Sequence, residues 1–173
     1  MVVLVRYAEI GIKGKNRDRF EKALMSNIEA CLRSHNIRFA KVWRIYGRIL
    51  IETESPCSQL RTVFGIASFS QAVRAGTTLE EAESVAKKLV ETLTEKDTFR
   101  VSCQRLDKTF PLTSHDVCVQ LGEKLLGATK AKVKLKQPTV DVSLEIIDGN
   151  IYVLTSRTEG PGGMPLGLQG KVI

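Results

Sequence analysis

The sequence predicts an α+β fold made of two small layers, on three observations. Apolar residues switch repeatedly between strand-like alternation and helical three- and four-residue spacing. Two hairpin signals, one around Gly47 and one at Asp148-Gly149-Asn150, call for antiparallel pairing. No run of eighteen or more apolar residues calls for a membrane helix.

The elements follow in order. "VVLVRY" reads as a buried strand that ends in the loop "AEIGIKGKN", with Asn16 as the expected N-cap of a helix. In that helix Phe20, Leu24, Ile28, Cys31 and Leu32 form the apolar face, and Arg17, Glu21, Lys22 and Glu29 are expected to face water. "HNIRFAKVWRIYGRILIETE" makes two alternating runs around Gly47, so the first sixty residues spell β-α-β-β. Pro56 opens a short helical piece that Gly65 ends, and "ASFSQAVRAG" is expected to be an extended link.

A helix from Leu79 carries Ala82, Val85, Ala86, Leu89 and Leu93 on one face. The strand "TFRVSCQRL", the polar bend "DKTFPLTS" and a helix from Ser114 with Val117, Leu121 and Leu125 come next. "TVDVSLEII" and "IYVLTSRT" close the second half as a hairpin, giving α-β-α-β-β. The expected divisions are a domain at 1–60, a second at 61–160 and a glycine-rich connector at 161–173.

The 173 residues carry a net charge of +7, which points toward a polyanionic partner. Residues 1–60 hold 11 Lys and Arg against 6 Asp and Glu, whereas residues 61–173 hold 15 against 13. Lys13, Lys15, Arg17 and Arg19 concentrate the front excess. Cys31, Cys57, Cys103 and Cys118 form no C-x-x-C pair, and neither His35 nor His115 stands at metal-ligand spacing from one. Buried thiols are expected at Cys31, Cys103 and Cys118, and an exposed one at Cys57. No metal site, disulfide framework or cofactor is expected. The N-terminus lacks a signal peptide pattern, so a cytoplasmic protein with no membrane attachment is the default.

The tail "EGPGGMPLGLQGKVI" looks like a phosphate-gripping loop but fails as one. Pro165 stands where the first P-loop glycine belongs and offers no N–H, and Val172 replaces the magnesium-binding hydroxyl. "SHD" at 114–116 cannot form a triad, because consecutive helical residues point about 100° apart. Ser114 is expected to cap the helix instead, with Asp116 favoured by the helix dipole. No catalytic residues emerge. Two stretches suit anions. "KGKNRDR" sets Lys13, Lys15 and Arg17 at a helix entry with exposed glycine N–H groups. "CQRLDKTFPLTS" sets Arg105, Lys108 and Phe110 at a strand-to-helix bend, a combination suited to phosphates and unstacked bases, unless Phe110 plugs the core.

The stretches "RYAEIGIKGKNRDRF", "VFGIASFSQA", "FRVSCQRLDKTFPLTS" and "GPGGMPLGLQGK" together resemble the front of tRNA 4-thiouridine synthases, the ThiI family, which is also tied to thiamine biosynthesis. Ala8 and Asp116 stand where that family usually has Gly and Glu. The resemblance implies an N-terminal ferredoxin-like domain followed by a THUMP domain, an RNA-binding module. It further implies binding of the tRNA acceptor arm and the 3′ CCA end, for sulfur insertion at the uridine in position 8.

Lys13, Lys15 and Arg17 would then hold stem phosphates. Arg105, Lys108, Phe110 and Ser114 would handle the 3′ end, and the Gly162-Gly163 turn would let backbone approach RNA. The family's adenylating motif S-G-G-x-D-S does not occur in the sequence, and "GKVI" resembles the opening of the ATP-binding domain that carries it. A non-catalytic tRNA-binding unit is therefore expected. It would be either the front of a synthase or a short protein working with a separate PP-loop chain or sulfur donor, and a homodimer is open to it. The alternatives are a sulfur carrier with a persulfide on Cys103 or Cys57, which needs an exposed, acidic thiol, and a protein-interaction module.

Overall fold

The computed structural model describes residues 1–7 and 17–168. Asn16, Lys13 and Lys15 therefore lie outside the described residues. The front half contains β1 (Val2–Arg6), α1 (Arg17–Ser34), β2 (Lys41–Ile45), β3 (Arg48–Glu52), a 3-10 turn at Ser58–Thr62, and β4 (Ser68–Gly76). The rest contains α2 (Leu79–Val90), β5 (Thr98–Arg105), α3 (Ser114–Leu126), β6 (Lys132–Val133), β7 (Val140–Ile147), β8 (Asn150–Leu154) and β9 (Thr158–Glu159). The α+β class holds. The chain divides into two compact units: Met1–Gln71 with Ser156–Ile173, and Ala72–Thr155. Residues 61–71 and 156–160 thus cluster with the first unit, and β4 contributes residues to both.

In the first unit β3 pairs antiparallel with β1 on one side and β2 on the other, and β1 lies between β3 and β4. The β2–β3 hairpin turns at Tyr46-Gly47, both with positive φ (44° and 77°), the geometry of the tight turn that matches strand twist. Leu24, Ile28 and Leu32 of α1 pack with Val3, Val5, Ile49 and Ile51 in one core, as their spacing required. Glu21 corrects the expected pattern: it is 5% exposed, on the inner side of α1.

In the second unit β8 pairs with β4 and β7, while β5 runs parallel to both β7 and β6. The β7–β8 turn at Asp148-Gly149 again takes positive φ at both residues (50° and 69°). Leu79, Ala82, Ala86 and Val90 from α2, and Val117, Leu121 and Leu125 from α3, pack with Phe99, Val142, Leu144, Ile146, Ile151 and Val153. Each helix starts with a reciprocal capping box. Thr78 and Glu81 close the first, Thr113 and Asp116 the second. The cap of α3 is therefore Thr113, one residue before the expected Ser114. Thr113 has the extended backbone that a cap needs, and its side chain accepts from the Asp116 N–H at 3.2 Å.

Candidate nucleic-acid interface

The bend between β5 and α3 is held from four directions. Arg105 donates through Nη1 to the carbonyls of Phe110 (3.0 Å) and Leu112 (3.2 Å). Asp107 accepts at Oδ1 from the Thr109 N–H (2.8 Å) and hydroxyl (2.6 Å), a turn that Asp favours two residues before its donor. Its Oδ2 accepts from the Gly149 N–H at 2.7 Å, tying the bend to the β7–β8 turn. These bonds hold the carboxyl below its ordinary range, the Thr109 hydroxyl contributing most. The Phe110 ring is 8% exposed and belongs to the core of the second unit.

The plugging reading of Phe110 thus holds in this structure, and its ring is not available for stacking. What the bend presents outward is Lys108, which is exposed and has no ion-pair partner among the described residues, with exposed Thr109 and His115 and half-buried Ser114 nearby. A pre-ordered backbone under an unpaired cation lowers the entropic cost of holding an anion. Asp107 was missed in the sequence, although the D-x-T spacing carries its signal.

Arg17 sits in a network centred on Glu21. Its Nε donates to Glu21 Oε1 at 2.7 Å, and the Tyr7 hydroxyl donates to the same oxygen. Arg44 reaches Glu21 Oε2 at 2.9 Å and Asp18 at 2.5 Å. Burial acts to raise the Glu21 pKa, but the hydrogen bonds from Tyr7, Arg17 and Arg44 prevail and it lies below its ordinary value. Burial first, then the bond to Glu21, push the Tyr7 hydroxyl up to about 12. The side chains of Arg17 and Arg44 remain 43% and 40% exposed and edge a shallow hollow of about 220 Å³ with Tyr46 and Gly47. Sequence alone did not place Tyr7, Glu21 or Arg44 together.

Gly162 and Gly163 take consecutive positive φ values of 67° and 71°, and both are half-buried. The Gly162 N–H donates to the Ile66 carbonyl (2.8 Å) and its carbonyl accepts from Gly65 (2.7 Å). Pro165 packs over Gly65, where an added Cβ would meet the ring at 2.9 Å. Asn27 donates to the Leu166 carbonyl at 3.2 Å. The described part of the tail is thus bound to the first unit.

The thiols do not suit a sulfur carrier. Cys57, expected to be exposed, is 2% exposed and belongs to the core of the first unit with Leu60 and Val63. Burial raises all four thiols, Cys57 to about 11 and Cys103 to about 12. Cys31, Cys103 and Cys118 are half-buried rather than buried. A persulfide carrier needs the opposite shift. Among the described residues no three His, Cys, Asp or Glu side chains group as a metal site, and no helix is long and apolar enough to cross a membrane.

Comparison with known proteins agrees with this layout. Residues 2–70 match the model of the ThiI ferredoxin-like domain and residues 76–156 that of the THUMP domain. A probable tRNA sulfurtransferase of Thermococcus kodakarensis is 38% identical over 99% of this chain and 48% of its own length. One of Brevibacillus brevis is 37% identical over 99% of this chain and 44% of its own. This chain spans about half the length of the curated relatives it matches.

Among solved structures, PH1313 from Pyrococcus horikoshii Ot3 superposes with a TM-score of 0.87 at 36% identity, over 96% of this chain and 57% of that one. A 4-thiouridine synthetase in complex with RNA and ATP gives 0.75 at 30% identity, over 96% of this chain and 43% of that one. With a ferredoxin-like domain and a THUMP domain matched in succession over most of its length, the chain belongs to the ThiI family.

Proposed function

We propose that this chain grips tRNA by the acceptor arm and 3′ CCA end, so that the uridine at position 8 can be converted to 4-thiouridine at a PP-loop site whose motif this sequence does not carry. The observation that carries the reading is the similarity, over 96% of this chain, to a 4-thiouridine synthetase solved with RNA. The unpaired Lys108 on a pre-ordered bend supports the assignment of the 3′ end to the second unit. Arg105 and Phe110 act there by holding that bend, and Ser114 lies beside it.

The exposed edges of Arg17 and Arg44 around their hollow support stem contact in the first unit, and the reading assigns Lys13 and Lys15 to the same contact. Gly162 commits its N–H to Ile66, so within the pair Gly163 is the residue whose backbone is left to approach RNA. A separate PP-loop chain or sulfur donor and a homodimer remain part of this reading.

The test is binding titrated with salt, using full tRNA, the same tRNA lacking CCA, and a DNA duplex. Tight, salt-dependent binding that weakens on CCA removal is expected. Lys108→Gln should reduce the slope of log K against log salt by about 0.7 units, the value for one single-strand phosphate contact. Equal binding of all three nucleic acids would overturn the reading.

A further inference from the structure

We propose a second phosphate-binding row along the edge strand of the second unit and the segment that follows it, formed by Lys132, Lys134 and Lys136. This inference rests on the RNA-binding reading above.

β6 ends the strand order, pairing with β5 alone. Lys132 lies opposite Thr98 and Val133 opposite Phe99. Phe99 is fully buried in the core, and Val133 and Leu135 line an apolar groove of about 410 Å³ with it and α3. Alternation along a strand therefore puts Lys132 and Lys134 on the opposite, polar face, about 6.6 Å apart. The Lys134 N–H still pairs with the Phe99 carbonyl at 2.9 Å, and Lys136 follows where the chain bends.

All three lysines are exposed, and none has an ion-pair partner among the described residues. The acids on this side are already committed. Asp141 takes Arg100 at 2.9 and 2.5 Å and the Ser102 hydroxyl at 2.7 Å. The Asp97 carboxylate takes the Thr94 N–H at 2.9 Å and hydroxyl at 2.8 Å. Like charges about 6.6 Å apart lie within one Debye length and repel one another at physiological salt. A chain of phosphates at a comparable step relieves that repulsion and releases counterions.

Lysine on a strand edge also discourages edge-to-edge pairing, but that role does not account for Lys136, which stands beyond the paired residues. An acidic protein segment adding as a strand is disfavoured. β6 is two residues long, and the Leu135 carbonyl is taken by Arg100 at 3.1 Å, so little backbone remains to template it. A phosphodiester backbone needs no such template. Lys130 shares its groove with Glu91 and Glu95 and stands outside the row.

The test replaces Lys132, Lys134 and Lys136 together with Gln, and separately with Arg, in the whole chain, and repeats the salt titration on tRNA with and without CCA. Thermal unfolding checks that both variants fold. The Gln variant should lower the salt slope by about two units, the Arg variant should keep it, and Lys130→Gln should leave it unchanged. A loss that persists without CCA assigns the row to stem phosphates; a loss confined to full tRNA assigns it to the 3′ tail. An unchanged slope in the Gln variant, with Lys108→Gln still lowering it, would overturn the row and leave the RNA reading standing. Unchanged RNA binding with lost binding of poly-glutamate would overturn it in favour of an acidic protein. Failure of the unaltered chain to bind tRNA would remove both.

Discussion

Glu21 shows how one buried carboxylate can organise a basic surface. It pairs with two arginines whose outer edges stay in water and takes a hydrogen bond from Tyr7, so three side chains are fixed around it. Replacing Glu21 by Gln should cost about 1–3 kcal/mol, toward the lower end because both arginines are partly solvated. The sign of its pH dependence follows from the lowered pKa. The Glu21 contribution is present above the unfolded carboxyl value of ~4.3 and is lost as pH falls through the folded one.

Tyr7 works the other way. Its stabilisation is complete below ~10 and disappears as pH rises toward about 12. Denaturant midpoints measured from pH 3 to 7 should converge for wild type and Glu21→Gln at the acid end; a constant gap would contradict the network. Helical periodicity put Glu21 on the wet side because a carboxylate is exposed by default. Its partners Tyr7 and Arg44 stand 14 and 23 residues away, beyond the reach of local pattern. Cys57 was misread for the same reason, since a polar neighbourhood in sequence said nothing of the Leu60 and Val63 packing around it.

At the scale of elements, the long helices and both hairpins were legible because their signals are local. Apolar periodicity states α2 directly, and an Asp-Gly pair does the same for the β7–β8 turn. β6 and β9 were not legible, being two residues each and defined by the edge they meet rather than by their own pattern. β9 shows the consequence. It pairs with β4 at Ser68 and Phe69, and the next residue, Gly160, comes so close to Ile66 that an added Cβ would lie 2.3 Å from its carbonyl oxygen. Gly160→Ala should therefore destabilise the protein by about 1–3 kcal/mol, the cost typical of overpacking, and speed tryptic cleavage after Arg157. An unchanged melting temperature and cleavage rate would show that the tail is not held there.

At the scale of the molecule, the chain leaves its first unit after Gln71, builds the second through Thr155, and returns. No stretch of sequence announces that return, because the tail reads as a glycine-rich connector and its partners Gly65, Ile66 and Asn27 are remote. Charge behaved similarly. The cluster at Lys13 to Arg19 was visible because it is contiguous, whereas a net of only +2 over residues 61–173 concealed the proposed row of Lys132, Lys134 and Lys136.

Family motifs carried more than composition did. They gave the 105–114 bend, already read from the strand, polar stretch and helix around it, its expected RNA role, and the structure then reassigned the parts within it, Phe110 to the core and Asp107 to the pin. The central claim is that the assembled surface recognises the acceptor end of tRNA. Nuclease footprinting of full tRNA bound to the whole chain tests it most directly. Protection of the acceptor stem and the 3′ CCA is expected, with the anticodon arm left open to cleavage; protection of the anticodon arm, or uniform protection of the whole molecule, would contradict it.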